Sequence, residues 1–142
     1  MIGSCVYRKG ADHERQLAKK LGEEGFVVIR AAGSGKNTPD LIAGCDGTTF
    51  MFECKYSTKE AFYIDKRQIG TQVVFAKKFG GDFFVAVKFK NIPWCFLRPE
   101  QLEDSGKNYK MTKYLLEKGR KLRQLLYRNL PESGSDGSGT GV

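Results

Sequence analysis

The chain has 142 residues, 40% of them apolar, and carries a formal net charge of +8. That length suits one domain with a real core, and a basic balance of this size points to nucleic acid before an anionic membrane. No apolar run approaches the ~18 residues of a membrane span, and four scattered cysteines with no Cys-x-x-Cys and a single histidine argue against a zinc site.

The opening MIGSCVYRKG holds no secretory apolar core, so a cytoplasmic location with reduced thiols is expected. Residues 10–24 read as a helix ending near Gly25. Its apolar stripe is Ala11, Leu17, Ala18 and Leu21, and Glu14 falls inside it. An ionised Glu on a core-facing stripe is costly unless it is paired or bound to a metal. The plain alternative is a boundary Glu paired with a lysine.

Residues 26–30 read as a buried strand, and 31–38 as a Gly/Ser-rich loop. The stretch Gly33-Ser34-Gly35-Lys36 does not meet the phosphate-loop pattern, which needs a glycine where Arg30 stands. Ser34 and Lys36 are instead expected near a DNA phosphate, the alternative being a plain connection.

Residues 40–55 read as a β-hairpin. Asp46-Gly47 between two apolar runs is a strong turn signal. Centring the turn there pairs Cys45 with Thr48, Ala43 with Phe50 and Asp40 with Glu53. One face then carries Asp40, Ile42, Met51, Glu53 and Lys55, and the other face, read as core, carries Leu41, Ala43, Phe50, Phe52 and Cys54. Opposed like charges destabilise a sheet, and a divalent cation such as Mg²⁺ would cancel the repulsion. Lys55 on the same face would position a water or stabilise developing negative charge. The plain alternative is a surface strand with a Glu–Lys pair.

Residues 56–63 read as a polar and aromatic connection. Asp65 caps a helix over 66–79 that ends at Gly80-Gly81. Strands follow at 83–89 and 94–98, turning at 91–93. A polar loop or short turn is expected over 99–109, a basic helix over 112–128 with Gly119 as its weak point, and a disordered Gly/Ser tail over 132–142. The order α-β-β-β-α-β-β-α argues for a mixed α/β sheet with helices packed on it. The expected organisation is a single domain over 1–131 followed by the tail.

Basic residues cluster at Arg8-Lys9, Lys66-Arg67, Lys77-Lys78 and along 110–128. No zinc finger, RNP-like motif or basic-region heptad suggests sequence reading, so backbone or shape recognition is expected.

Pro39-Asp40 with Glu53-Cys54-Lys55 resembles the PD-(D/E)xK nuclease core. The wider pattern is similar to the archaeal Holliday-junction resolvases: Lys9-Gly10-x-x-x-Glu14, then Gly25-Phe26-Val27-Val28-Ile29-Arg30-Ala31, then Gly33-Ser34-Gly35, with later likeness at Gln68-Ile69, Phe75-Ala76 and Phe79-Gly80-Gly81. The resemblance covers roughly residues 6–98. It implies a central five-stranded mixed β-sheet flanked by helices. It also implies a homodimer and Mg²⁺-dependent cleavage of four-way DNA junctions, with Mn²⁺ as substitute, in recombination and repair. By position, Glu14, Asp40 and Glu53 would be metal-site carboxylates, Lys55 the catalytic lysine and Ser34 an accessory residue. Arg30 and the Lys9 region would contact backbone, joined by Lys36, Lys66 and Arg67, and Gln68 would support the site. Phe62, Tyr63, Phe75, Phe79, Trp94 and Phe96 are candidates for a dimer interface. A sliding-clamp contact through 124–127 is not carried by its poor motif match. The alternatives are another PD-(D/E)xK endonuclease acting on linear or damaged duplex, and a non-catalytic DNA-binding module of that fold. Three clustered carboxylates beside a polyanion argue against the second.

Overall fold

The computed structural model describes residues 2–31, 35 and 37–127, with side chains from residue 10 onward. The side chain of Lys9, residues Ser34 and Lys36, and the tail expected at 132–142 lie outside them.

Helix α1 (Ile2–Glu23) leads into strand β1 (Val27–Arg30), then β2 (Leu41–Cys45) and β3 (Thr48–Ser57). Strand β4 (Ala61–Asp65) runs directly into helix α2 (Lys66–Phe79), followed by β5 (Asp82–Phe89) and β6 (Cys95–Leu97). Strands β7 (Glu103–Ser105), β8 (Asn108–Thr112) and β9 (Arg120–Lys121) precede helix α3 (Leu122–Tyr127). The main sheet has the order β1-β2-β3-β5-β6-β9. Its only parallel pair among the described strands is β3 with β5. The expected five-stranded mixed sheet is present as β1, β2, β3, β5 and β6, and the two residues of β9 extend its edge. A separate three-stranded sheet, β4-β8-β7, was not anticipated.

The hairpin register is as read from the turn. Cys45 pairs with Thr48, Ala43 with Phe50 and Leu41 with Phe52. Asp46 and Gly47 have φ of 46° and 86°, the double positive φ of a type I′ turn that suits the strand twist. Because successive side chains alternate, β3 feeds two cores. Phe50 and Phe52 join Leu17 and Leu21 of α1, Phe84, Phe96 and Leu125 of α3 on one face. Met51 joins Ile69 and Ala76 of α2, Val85, Val87 and Met111 on the other. Both faces of β3 and β5 are therefore covered, which is why these strands read as nearly continuous apolar runs. Each buried Phe contributes about 1.5–3 kcal/mol, and Phe50 and Phe84 meet edge-on at 5.9 Å.

Helix α2 has the predicted caps. The Asp65 carboxylate accepts the Arg67 N–H at 2.8 Å, and Gly80 closes the helix at φ 94°.

Four expectations are corrected. The strand at 26–30 is an edge strand rather than a buried one, with Val27 74% and Ile29 59% exposed. The connection at 56–63 is mostly strand, since β3 continues to Ser57 and β4 begins at Ala61. The segment at 99–109 has the short turn, as 3₁₀ (Pro99–Gln101), but continues into the β7–β8 hairpin. The basic helix at 112–128 is replaced by the end of β8, a 3₁₀ segment (Lys113–Lys118), β9 and the short α3. Gly119 explains the last of these. Its backbone lies so close to β6 that an added Cβ would sit 2.3 Å from Cys95 Sγ, and the next two residues pair with Cys95 and Phe96. Tertiary pairing overrides helix propensity there. Trp94 and Phe96 are core residues, at 5% and 0% exposure, so neither serves an interface.

Candidate active site

Alternation along β3 turns Glu53 and Lys55 toward the α2 side of the sheet, with Met51 and Val85. Asp40 stands one residue before β2. Its N–H donates to Phe52 O at 2.8 Å and its carbonyl accepts from Ala31 N at 2.9 Å, so both neighbouring strands hold its backbone. Its Oδ2 accepts the Cys54 N–H at 2.8 Å.

Glu53 is 3% exposed and is surrounded by donors. Gln68 Nε2 reaches Oε2 at 2.9 Å, Gln72 Nε2 reaches Oε1 at 2.9 Å, and Lys55 Nζ lies 3.1 Å from Oε2. Burying a carboxylate is costly unless its oxygens are hydrogen-bonded in this way.

Glu14 arrives from the other layer. It lies on α1, whose Leu17 and Leu21 pack on the opposite face of the sheet from Glu53. Arg30 of β1 holds it, with Nη2 3.3 Å from Oε1 and both side chains mostly buried. The partner is an arginine of β1, not the lysine of the plain alternative. Glu14 still raises the pKa of Asp40, and Glu53 raises that of Glu14, so the three carboxylates share one electrostatic neighbourhood.

Burial pushes the Asp40 carboxyl up to about 7, helped by the charges of Glu53 and Glu14 and opposed by the Cys54 N–H and Lys55. Burial likewise raises Glu14, against the pull of Arg30. The Cys54 thiol is driven well above its usual range by burial and by Asp40, Glu14 and Glu53. It stays protonated at neutral pH and is no nucleophile.

Among the described residues, no three His, Cys, Asp or Glu side chains converge on a single point as a metal cage would require. Mg²⁺ needs no such cage. It is usually held by one or two carboxylates, with waters and substrate phosphate completing its shell. Asp40 fits that role: a carboxyl with its pKa raised by burial and by two neighbouring carboxylates is stabilised as the anion by a divalent cation.

Of the expected DNA-contacting residues, Arg30, Lys66 and Arg67 lie among the described side chains. Arg30 is engaged with Glu14. Lys66 pairs with Asp104 and lies 5.4 Å from the Tyr109 ring centroid. Arg67 is exposed at the start of α2, where Asp65, Lys66, Lys107 and Asn108 line an open groove with it. Gln68, the next residue, touches Glu53.

Two features escaped the sequence reading. Gln72 is fully buried on Glu53. Ile69, Gln72, Val73 and Ala76 form an i, i+3, i+4, i+7 stripe, and the argument that singled out Glu14 would have found Gln72 in it. His13 of α1 stacks on Tyr56 of β3 with centroids 3.8 Å apart. This contact pins α1 to β3 beside Glu14 and Lys55, and no sequence spacing announces it.

The chain matches the family described as archaeal Holliday junction resolvase (Hjc) over residues 5–132. It is similar to the crossover junction endodeoxyribonuclease Hjc of Methanocaldococcus jannaschii, at 48% identity over 103 residues, covering 72% of this chain and 75% of that protein. The protein of the same name from Archaeoglobus fulgidus is 35% identical over 106 residues, covering 72% and 78%. The solved structure of Archaeoglobus fulgidus Hjc, a Holliday junction resolvase, superposes with a TM-score of 0.76 at 31% identity, covering 82% of this chain and 94% of that one.

Proposed function

The chain belongs to the archaeal Holliday junction resolvase family, and on that premise we propose how its residues act. It is an endodeoxyribonuclease that resolves four-way DNA junctions in recombination and repair. The reaction proposed for it is metal-dependent phosphodiester hydrolysis, with Mg²⁺ as the physiological cation and Mn²⁺ as a substitute. The observation that carries this reading is the placement of Asp40 and Glu53 on one face of the β2–β3 hairpin. There Asp40 sits with its pKa at about 7 and Glu53 is held by Gln68, Gln72 and Lys55.

Asp40 and Glu53 would hold the cation, with Glu14 adding a third negative charge from α1. A divalent cation there supplies Lewis-acid polarisation of the phosphate and acidification of water. Lys55 directs its ammonium toward Glu53 Oε2. An ammonium has three donors, so Lys55 retains N–H groups for a phosphate oxygen as negative charge develops. Gln68 and Gln72 keep the Glu53 carboxylate from rotating. Lys9, Ser34, Lys36 and Arg67 are assigned to the DNA backbone. Lys66 and Arg30 join them only by leaving Asp104 and Glu14.

A four-way junction is close to two-fold symmetric, and symmetric cutting of two strands needs two sites related by a two-fold axis. A C₂ homodimer supplies them. Among the described residues, the exposed Val27 and Ile29 of the edge strand, Val74 and Phe79 of α2 and Tyr63 of β4 offer apolar surface for it. Among the described residues no helix is long and apolar enough to cross a membrane. A DNA substrate favours the cytoplasm as the place of action.

Cleavage of a four-way junction and of plain duplex, each with and without Mg²⁺, tests the reading. Junction-selective, Mg²⁺-dependent paired cuts are expected. Equal rates on the two substrates would return the chain to the general PD-(D/E)xK endonucleases, and cutting in the presence of a chelator would remove the metal from the mechanism.

A further inference from the structure

We infer that Gln72 is a positioning residue that locks Glu53 and the Asp40 segment into one spacing, and so sets the site's affinity for its divalent cation. This deepens the metal-dependent reading above and rests on it. Gln72 has 0% exposure and lies on α2 between Ile69 and Ala76, both at 2% or less. An apolar residue would fill that position at lower cost, because burying a carboxamide is unfavourable unless its hydrogen bonds are made. Gln72 makes them through its amide nitrogen to two separate parts of the site. Its Nε2 donates to Glu53 Oε1 at 2.9 Å and to the backbone carbonyl of Thr38 at 3.2 Å. A primary amide nitrogen has two N–H groups, so one side chain can serve both acceptors.

The Thr38 carbonyl is a sensitive place to hold. It is followed by Pro39, whose ring fixes φ, and then by Asp40. Proline ψ is the only soft torsion between that carbonyl and the Asp40 α-carbon. Tying Thr38 O and Glu53 Oε1 to the same nitrogen therefore restrains the Asp40 α-carbon relative to the Glu53 carboxylate. The bond also selects a lone pair. Glu53 Oε2 meets both Gln68 and Lys55, whereas Oε1 meets Gln72, which leaves Oε1 as the oxygen with capacity for a cation. Partners that orient a metal ligand typically change metal affinity ~10–100-fold when removed.

The test is Mn²⁺ binding to the full chain without DNA, followed by the electron paramagnetic resonance of free Mn²⁺, for wild type, Gln72→Met and Gln72→Leu. Both substitutions keep the bulk and helix propensity, so both variants should fold, with thermal unfolding in metal-free buffer lowered at most modestly by the loss of a donor to Glu53. Mn²⁺ affinity should fall ~10–100-fold in both variants, and saturating Mn²⁺ should restore most of the junction-cleavage rate. Variants that unfold like wild type and bind Mn²⁺ within about two-fold of it would overturn the inference and leave Gln72 a core plug. If one variant misfolds, the other carries the same comparison. Wild type that binds no Mn²⁺ would sink the metal-dependent reading itself, a different result from equal binding.

Discussion

Asp40 accepts the N–H of Cys54 at 2.8 Å, although one further step of the β2–β3 register sets it opposite Glu53. The carboxylate has thus turned along the partner strand and taken a backbone donor. It remains buried close to Glu53, so the donor only partly offsets the like-charge repulsion. Both carboxylates belong to the proposed site, and their removal makes the first prediction. Asp40→Asn and Glu53→Gln should each lower junction cleavage by about three orders of magnitude, ~4 kcal/mol of transition-state stabilisation. Gel-shift affinity should survive in both. Mg²⁺-dependent cutting retained by either variant would remove that residue from the site.

The same burial makes the metal-free protein pH-sensitive. The Asp40 pKa rises from 3.8 to about 7 on folding. Between about pH 4 and 7 the folded state then binds more protons than the unfolded state, and stability falls as pH rises. The loss has a ceiling of about 4 kcal/mol. In a chelating buffer, Asp40→Asn should flatten this slope and unfold at higher temperature than wild type at pH 8. Parallel melting-temperature profiles for the two proteins across this range would contradict the assignment.

The Arg30–Glu14 pair bridges β1 and α1 in a mostly buried setting. Arg30→Met leaves Glu14 without its cation. It should cost about 1–3 kcal/mol at neutral pH, where Glu14 must ionise or stay protonated at a penalty. Urea titration checks this, with Glu14→Gln/Arg30→Met recovering part of the loss. An unchanged unfolding midpoint in Arg30→Met would show that the pair contributes nothing to the fold.

Phosphate recognition by a chain of net charge +8 implies counterion release. Junction affinity should fall with salt at a log–log slope of about −4 or steeper, and Arg67→Ala should reduce that slope by about one. A nearly flat salt titration would mean that base or shape contacts dominate.

Val27 and Ile29 expose most of their surface on an edge strand, an arrangement that soluble proteins usually blunt or cover. Light scattering should find wild type dimeric and Ile29→Glu monomeric, with paired cuts on a junction becoming independent nicks. A variant that stays dimeric would place the interface elsewhere.

Much of the hairpin was legible because its causes are local. Asp46-Gly47 dictates a type I′ turn, the turn dictates the register, and the period of two dictates which face carries Glu53 and Lys55. Asp65 and Gly80 bounded α2 for equally local reasons. Glu14 was visible as a charge inside an apolar stripe, but its partner was not, since Arg30 reaches it only when β1 packs beside α1. The region after Thr112 misled, because its helical composition yields to the close approach of Gly119 to β6 and to pairing with Cys95 and Phe96.

By itself, then, the sequence determined the hairpin, its turn, the shared face of Asp40, Glu53 and Lys55, and the family to which these belong. The hairpin, its turn and the shared face follow from torsional preference and periodicity within a few residues, and the family follows from the resemblance carried by the ordered motifs. Only the tertiary structure decided what surrounds those carboxylates: Arg30 on Glu14, Gln68 and Gln72 on Glu53, Cys54 N–H on Asp40, and His13 against Tyr56. These contacts join residues far apart in the chain, and they form only once two apolar layers close on opposite faces of one sheet.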